Sequence, residues 1–230
     1  MGLKNRRFFN GYLQTYVERD GRSLINLKDL SLFQRFLMLL AGRIGQVVNY
    51  TSLSNDIGVS STTVKNWISV MNASFVIFEL KPYFENFGKR VIKSPKICFS
   101  DTGLASHLLG IESADEAMRD PLRGNLYENL VILEIRKNRL NAGKRPELYF
   151  YRDSRGREVD LIIRRGRQLI PVEIKSAETF TKQFLKGIEH FQATAGDRCG
   201  IGMVFYNGVE SFDVRGVKIR NPMKVEALDV

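Results

Sequence analysis

Cysteine is scarce in this chain: two occur in 230 residues, Cys98 and Cys199, each in apolar surroundings and without close cysteine or histidine spacing. That excludes an ordinary structural zinc site and agrees with a reduced, intracellular protein. Long apolar runs are missing too. The most apolar stretch, Leu30 to Ala41, is broken by Gln34 and Arg35 and is too short to cross a bilayer as a helix, so no membrane partner and a cytoplasmic location are expected. Met1 to Asn10 carries basic residues but no following apolar segment and no small-residue cleavage site, unlike a secretory signal. No Gly-x-x-x-x-Gly-Lys-[Ser/Thr] occurs; Gly88-Lys89 and Gly143-Lys144 are each followed by Arg and lack the earlier glycine, so no ATP site of the P-loop kind is expected. There is no internal repeat and no low-complexity segment.

What the chain does contain is an ordinary apolar fraction, 43%, and an uneven excess of positive charge. The formal net charge is +10. Residues 1 to 100 hold 14 Lys+Arg against 6 Asp+Glu, whereas residues 101 to 230 hold 21 against 19. The first part is therefore the better footprint for a polyanion, with a merely solvated basic surface as the alternative.

The opening segment, Arg6 to Asp20, reads as a helix with Phe9, Leu13, Tyr16 and Val17 at helical spacing and no visible cap; residues 1–29 are expected to be the remnant of a preceding domain. From Leu30 the pattern predicts a helix to about Ala41, a short helix from Ser52 to Ile57, a break at Gly58 and a third helix from Ser60, a good N-cap, to about Ala73. This is the rhythm of a helix-turn-helix. Phe75 to Leu80 and Lys89 to Ser100 read as strands around an aromatic and basic loop, Pro82 to Arg90, completing a winged helix-turn-helix over residues 30–110. The polar stretch 111–121, closing in Pro121, is the candidate linker. Residues 111–230 follow in the order helix (Gly124 to Arg139), strand (Glu147 to Asp153), strand (Glu158 to Arg164), strand (Gln168 to Ser176), helix (Thr179 to Ala193) and strand (Gly200 to Tyr206), with a further strand pair around Ser211 to Arg220. The fold class expected is α/β (α+β): the winged helix, then a mixed sheet flanked by helices.

Chemistry concentrates in the second part. A Glu-x-Lys triplet alone means little, but in Leu169 to Lys175 period-2 alternation sends Glu173 and Lys175 to one face and Val172 and Ile174 to the other. A short turn joins this strand to the one carrying Asp160, so Asp160 and Glu173 are expected across neighbouring strands, close enough to share one divalent cation. Lys175 has three roles open to it: neutralising a carboxylate, stabilising charge on a phosphate, or orienting a water. Glu128 sits on a helix that is apolar around most of its circumference; it either meets a cation or metal or pairs with an arginine such as Arg157 or Arg164.

A glutamate on the first helix, an aspartate on the second strand and Glu-x-Lys on the third, in the order helix, three strands, helix, strand, resembles the PD-(D/E)XK nuclease superfamily over residues 120 to 210. Val159 stands where many members have proline, a variable position. The resemblance implies a restriction-endonuclease-like domain with Glu128, Asp160, Glu173 and Lys175 as catalytic residues, and Asp160, Glu173 and Glu128 as ligands of Mg²⁺ or Mn²⁺. The whole chain also resembles the C-terminal half of a prokaryotic family of AAA+-like ATPases, catalogued as domain of unknown function 4143. That likeness rests on Tyr12 to Asp20, Val64-Lys65-Asn66-Trp67, Pro82-Tyr83-Phe84, Asn86 to Arg90, Lys93-Ser94-Pro95-Lys96 and Asp101 to Ala105. The P-loop domain of those proteins has no counterpart here, which implies either a truncated ATPase or a separate P-loop ATPase partner.

Two functions follow as expectations. One is a metal-dependent DNA-processing module that hydrolyses phosphodiesters, with Lys65, Lys89, Arg90, Lys93 and Lys96 as sequence-independent phosphate contacts. The other is a non-catalytic interaction and regulatory half of an ATPase machine, in which the carboxylates form a structural ion-pair network.

Overall fold

A computed structural model describes residues 3–16, 30–83 and 94–224. Eight helices and eight strands are described: α1 (Leu3–Thr15), α2 (Leu30–Ala41), α3 (Tyr50–Ile57), α4 (Ser61–Ala73), β1 (Ile77–Pro82), β2 (Lys96–Phe99), α5 (Thr102–Leu108), α6 (Ala114–Arg119), α7 (Arg123–Asn141), β3 (Leu148–Arg152), β4 (Glu158–Arg165), β5 (Gln168–Lys175), α8 (Lys186–Ala195), β6 (Met203–Tyr206), β7 (Phe212–Val214) and β8 (Val217–Arg220). Strand order is β2-β1-β3-β4-β5-β6-β8-β7 in a mixed sheet. Two compact units divide the chain, residues 1–79 with 97–129 and residues 80–96 with 130–230, so that β1, β2 and α7 each contribute to both.

In the first unit, α2 buries Phe33, Phe36, Leu37 and Leu40, and α4 buries Val64, Trp67, Ile68 and Met71 at i, i+3, i+4, i+7. Trp67 meets Phe33 edge-on at 5.3 Å. Both short helices are capped by their own sequence: the Asn49 side chain accepts from the Ser52 amide, and Ser60 Oγ from the Thr63 amide. Gly58 ends α3 at φ 82°, a left-handed turn that lets α4 start three residues later. At the start of α7, buried Asn129 clamps β2: its Oδ1 accepts from the Phe99 amide at 2.8 Å, and its Nδ2 donates to Phe99 O and Thr102 Oγ1 at 3.0 Å each.

One expectation needs correcting here. Residues 111–121 are not a plain linker but contain α6, whose Ser113 Oγ accepts from the Glu116 amide while Glu116 Oε2 accepts from the Glu112 amide, closely related to a capping box. The two strands expected around the Pro82 to Arg90 loop, β1 and β2, are neighbours in the sheet, and β1 also pairs in parallel with β3 through Lys81–Tyr149 and Pro82–Phe150. Most of the Pro82 to Arg90 loop lies outside the described residues.

The second unit is organised by the antiparallel run β3-β4-β5, after which β5 pairs in parallel with β6 and β6 with β8. A 3-10 turn (Lys182–Leu185) leads into α8, which covers one face of the sheet. Phe191 packs with Tyr151, Val159, Ile162 and Leu169; Leu185 and Ile188 pack with Val204, Tyr206, Val217 and Ile219. No described helix is long and apolar enough to cross a membrane.

Candidate active site

The β4–β5 register pairs Leu161 with Val172, so one step further along each strand stand Asp160 and Glu173. On the other side of β4 the register with β3 slips by one: Tyr149 faces Ile162 and Tyr151 faces Val159, leaving Phe150 opposite both Asp160 and Leu161. Asp160 therefore belongs to a bulge, a device that re-aims a side chain out of strict alternation.

Its carboxylate takes over where the ladder stops. Asp160 Oδ2 accepts from the Ile174 amide at 2.8 Å and from Lys175 Nζ at 2.8 Å. Lys175 Nζ also reaches Glu173 Oε2 at 2.6 Å, so one ammonium joins both carboxyl groups. The three side chains retain 14% (Asp160), 7% (Glu173) and 30% (Lys175) of their exposure: the acids are nearly enclosed while the lysine borders solvent.

Burial opposes the charged form of each group, and the neighbours decide the outcome. For Asp160, the charges of Lys175 and Lys96 and the Ile174 amide outweigh burial, and its carboxyl titrates below the ordinary aspartate range. Burial, followed by the adjacent Asp160 charge, pushes Glu173 well above the ordinary glutamate range in spite of Lys175. Burial works against the Lys175 ammonium, but the two acids hold its proton and raise its pKa. The cluster without a metal thus has an ionised Asp160, a protonation-prone Glu173 and a charged Lys175.

α8 closes over Glu173 at Gly187. A Cβ there would run into Glu173 Oε1 and lie 2.6 Å from the Glu158 carbonyl oxygen, so glycine is what permits this approach. Lys96 is a further neighbour: it is 3% exposed, its Nζ is 2.5 Å from Glu158 Oε1, and it lies 5.5 Å from the centroid of the Phe150 ring. The structure thus gives Lys96 surroundings different from the surface basic stripe in which the sequence grouped it. Lys65 is exposed on α4, over the Tyr50 ring at 5.4 Å. Lys89, Arg90 and Lys93 lie outside the described residues.

Asp160, Glu173 and Lys175 are therefore brought together; Glu128 is half-buried on α7 and falls in the first unit. Among the described residues no group of three or more His, Cys, Asp and Glu is placed to hold a metal. The two-carboxylate pair still fits one class of ion. Mg²⁺ is commonly held by one or two carboxylates, with water and phosphate oxygens completing the shell, and two adjacent carboxyl groups are what this site offers. It does not fit an all-protein cage.

Sequence reasoning missed a second arrangement on the same helix face. Asp153, 2% exposed, accepts the Arg155 and Arg157 amides on Oδ1 at 2.9 Å each, and His190 Nε2 lies 3.3 Å from its Oδ2. Arg157 Nη1 donates to His190 Nδ1 at 2.9 Å, which assigns the imidazole proton to Nε2, facing Asp153. The only sequence signal was Asp-x-x-x-Arg in the β3–β4 turn; His190 comes from 33 residues further on.

A mixed sheet carrying an Asp/Glu/Lys cluster defines the second unit. Residues 123–225 match the family described as Domain of unknown function (DUF4143), and residues 2–115 match that described as Domain of unknown function (DUF8612). The end-to-end likeness to one family thus divides into two matches. Among curated relatives, the chain is 32% identical over 171 residues to "Uncharacterized protein Rv2008c" of Mycobacterium tuberculosis, covering 74% of this chain and 38% of that protein. It is 25% identical over 173 residues to an "Uncharacterized protein" of Haemophilus influenzae, covering 72% and 39%, and 25% identical over 189 residues to "Uncharacterized protein MJ1637" of Methanocaldococcus jannaschii, covering 80% and 38%. The chain spans less than two fifths of the length of these relatives.

Proposed function

We propose that the second unit hydrolyses phosphodiester bonds in DNA with a divalent cation. The observation that carries this reading is the convergence of Asp160, Glu173 and Lys175 from the second and third strands of one antiparallel run, with Lys175 Nζ 2.8 Å and 2.6 Å from the two acids. Asp160 and Glu173 would hold Mg²⁺ or Mn²⁺; when bound, the ion supplies Lewis acidity toward a phosphoryl oxygen and lowers the pKa of a ligated water. Lys175, at the open side, offsets charge gathering on the phosphate, and Asp160 is held in place by the Ile174 amide. The arrangement resembles the PD-(D/E)XK nucleases. In the first unit the α3–Gly58–α4 turn, with Lys65 exposed, supports a helix-turn-helix that docks nucleic acid. The likeness to AAA+-like ATPases supports a separate P-loop ATPase as a partner.

The test is calorimetric titration of Mg²⁺ and Mn²⁺ together with cleavage of single- and double-stranded DNA, using Asp160→Asn, Glu173→Gln and Lys175→Ala. Metal-dependent heat lost in Asp160→Asn and Glu173→Gln, with cleavage lost in all three variants, supports the reading. Wild-type protein that takes up neither ion and cuts neither substrate excludes it. The absence of a three-ligand group among the described residues, and an ammonium that satisfies both acids, favour a second reading: a non-catalytic interaction half of an ATPase machine with the cluster as a structural ion-pair network. Under that reading Asp160→Asn and Lys175→Ala lose stability, and there is no metal-dependent heat or cleavage to lose.

A further inference from the structure

Beside the cluster lies an open pocket of about 460 Å³ lined by Arg157, Glu158, Lys186, Gly187 and His190. It begins where the cluster ends: Gly187 is the residue that lets α8 reach Glu173, and Glu158 precedes Asp160 by two positions on β4. Arg157 and Lys186 bring two permanent positive charges. The one carboxylate in the lining, Glu158, is ion-paired to buried Lys96 at 2.5 Å and lies 3.6 Å from Arg152 Nε, so its charge is met from outside the pocket. The net potential of the lining is positive.

The arginine is also held. Buried Asp153 fixes His190, and His190 Nδ1 accepts from Arg157 Nη1 at 2.9 Å. A solvated surface arginine has no need of such support; ordering the guanidinium in advance reduces the entropy lost when it grips an oxyanion. Four of its five N–H donors remain beyond the bond to His190.

We infer that this pocket receives the phosphate dianion at the end of a nucleic-acid strand, with Arg157 and Lys186 as its contacts and His190 and Asp153 as positioning residues. The inference rests on the nuclease reading of the adjacent cluster. A guanidinium matches phosphate oxygens in pairs, and a second cation, Lys186, beside the held arginine complements the second charge that a terminal monoester has and an internal diester lacks. The volume falls within the range of small-molecule pockets, about 300–1,000 Å³, and leaves room for the sugar as well as the phosphate. A strand end seated here lies beside Asp160 and Glu173, so cutting is measured from that end and short products are released.

The experiment measures binding by the full chain, with EDTA present, of three single-stranded DNA oligonucleotides of one sequence: 5′-phosphorylated, 3′-phosphorylated, and hydroxyl at both ends. Inorganic phosphate serves as competitor. One phosphorylated strand binds about tenfold more tightly than the hydroxyl strand, which tells the 5′ source from the 3′, and millimolar phosphate removes that advantage. Arg157→Gln and Lys186→Gln each reduce the advantage several-fold, and the double variant abolishes it. His190→Gln reduces it while the hydroxyl strand binds as before, a split that simple loss of folding does not produce. Equal affinity for all three strands, no binding of any, or a preference that survives in the double variant overturns the inference. Asp160→Asn keeps the preference; a protein that keeps it yet never cuts DNA with any divalent cation loses the nuclease reading and retains the pocket.

Discussion

Between Asp160 and Glu173 the fold sets two carboxyl groups side by side with one ammonium between them, and burial together with the Asp160 charge works against ionisation of Glu173. The consequences for pH run in opposite directions. Asp160 titrates lower in the folded protein than in the unfolded chain, so its stabilisation is present above the ordinary aspartate range and is lost as pH falls through its depressed value. Glu173 titrates higher, so its contribution is complete below the ordinary glutamate range and is lost as pH rises through its elevated value. Without metal, Glu173→Gln is therefore expected to melt progressively higher than wild type as pH rises from 5 toward 9; a melting difference that does not change with pH removes the assignment. A divalent cation competes with a proton for the Glu173 carboxyl, so its binding tightens as pH rises and the linked proton release is visible as buffer-dependent heats in calorimetry. Gly187 offers a test of geometry in which two effects have opposite signs. In an open helix, glycine to alanine stabilises by up to about 1 kcal/mol. Here the new methyl meets the Glu173 carboxylate and the Glu158 carbonyl, and overpacking of that kind costs roughly 1–3 kcal/mol. Gly187→Ala should consequently lower the thermal midpoint, and a raised midpoint would contradict the close approach of α8.

At the scale of elements, much of the architecture was legible. Period 3.6 marks α2 and α4, short apolar runs bounded by turn residues mark β4 and β5, and a two-residue turn between those strands suffices to predict that Asp160 and Glu173 become neighbours. What stayed hidden was non-local. The bulge that re-aims Asp160 depends on β3, the closure over Glu173 depends on a glycine in α8, and buried Lys96 arrives from β2, none of which leaves a mark in the strand that carries the site. The α6 error was different: Ser113-Ala114-Asp115-Glu116 is a helix start written in the sequence, and mixed charge concealed it. Where α4 ends, the chain makes an unusual choice. The Val76 amide bonds to Met71 O at 2.9 Å, closing a left-handed turn at Phe75, which sits at φ 60° with 75% of its surface exposed. A side chain in that conformation costs roughly 1–2 kcal/mol, against about 0.4–1 kcal/mol of unfolded-chain entropy when glycine replaces it. Phe75→Gly is thus expected to stabilise the protein by about 0.5–1 kcal/mol, read as a higher denaturant midpoint at unchanged slope. A fall in stability would show that the ring packs in solution.

Over the whole molecule, the charge asymmetry and the two units lead to a measurable division of labour among lysines. Residues 1 to 100 carry a balance of +8, and a surface that binds DNA through phosphates must release counterions, so its affinity falls with salt by a slope of about −0.9 per phosphate contact. Lys65 and Lys96 are both lysines of that basic part, yet they stand in different environments: Lys65 is exposed over Tyr50, whereas Lys96 is buried against Glu158. Lys65→Ala should make the slope of log affinity against log salt shallower by about 0.9 and leave thermal stability within about 0.5 kcal/mol of wild type. Lys96→Met should do the reverse. It strands Glu158 and withdraws a charge that keeps Asp160 ionised, with a loss of about 2 kcal/mol, below the roughly 3–5 kcal/mol of a fully buried broken pair because Glu158 keeps 27% exposure. The salt slope then stays as it was. Two lysines that changed the slope equally would place Lys96 at the DNA and deny it the internal role, whereas two that left it untouched would take the first unit out of nucleic-acid binding altogether.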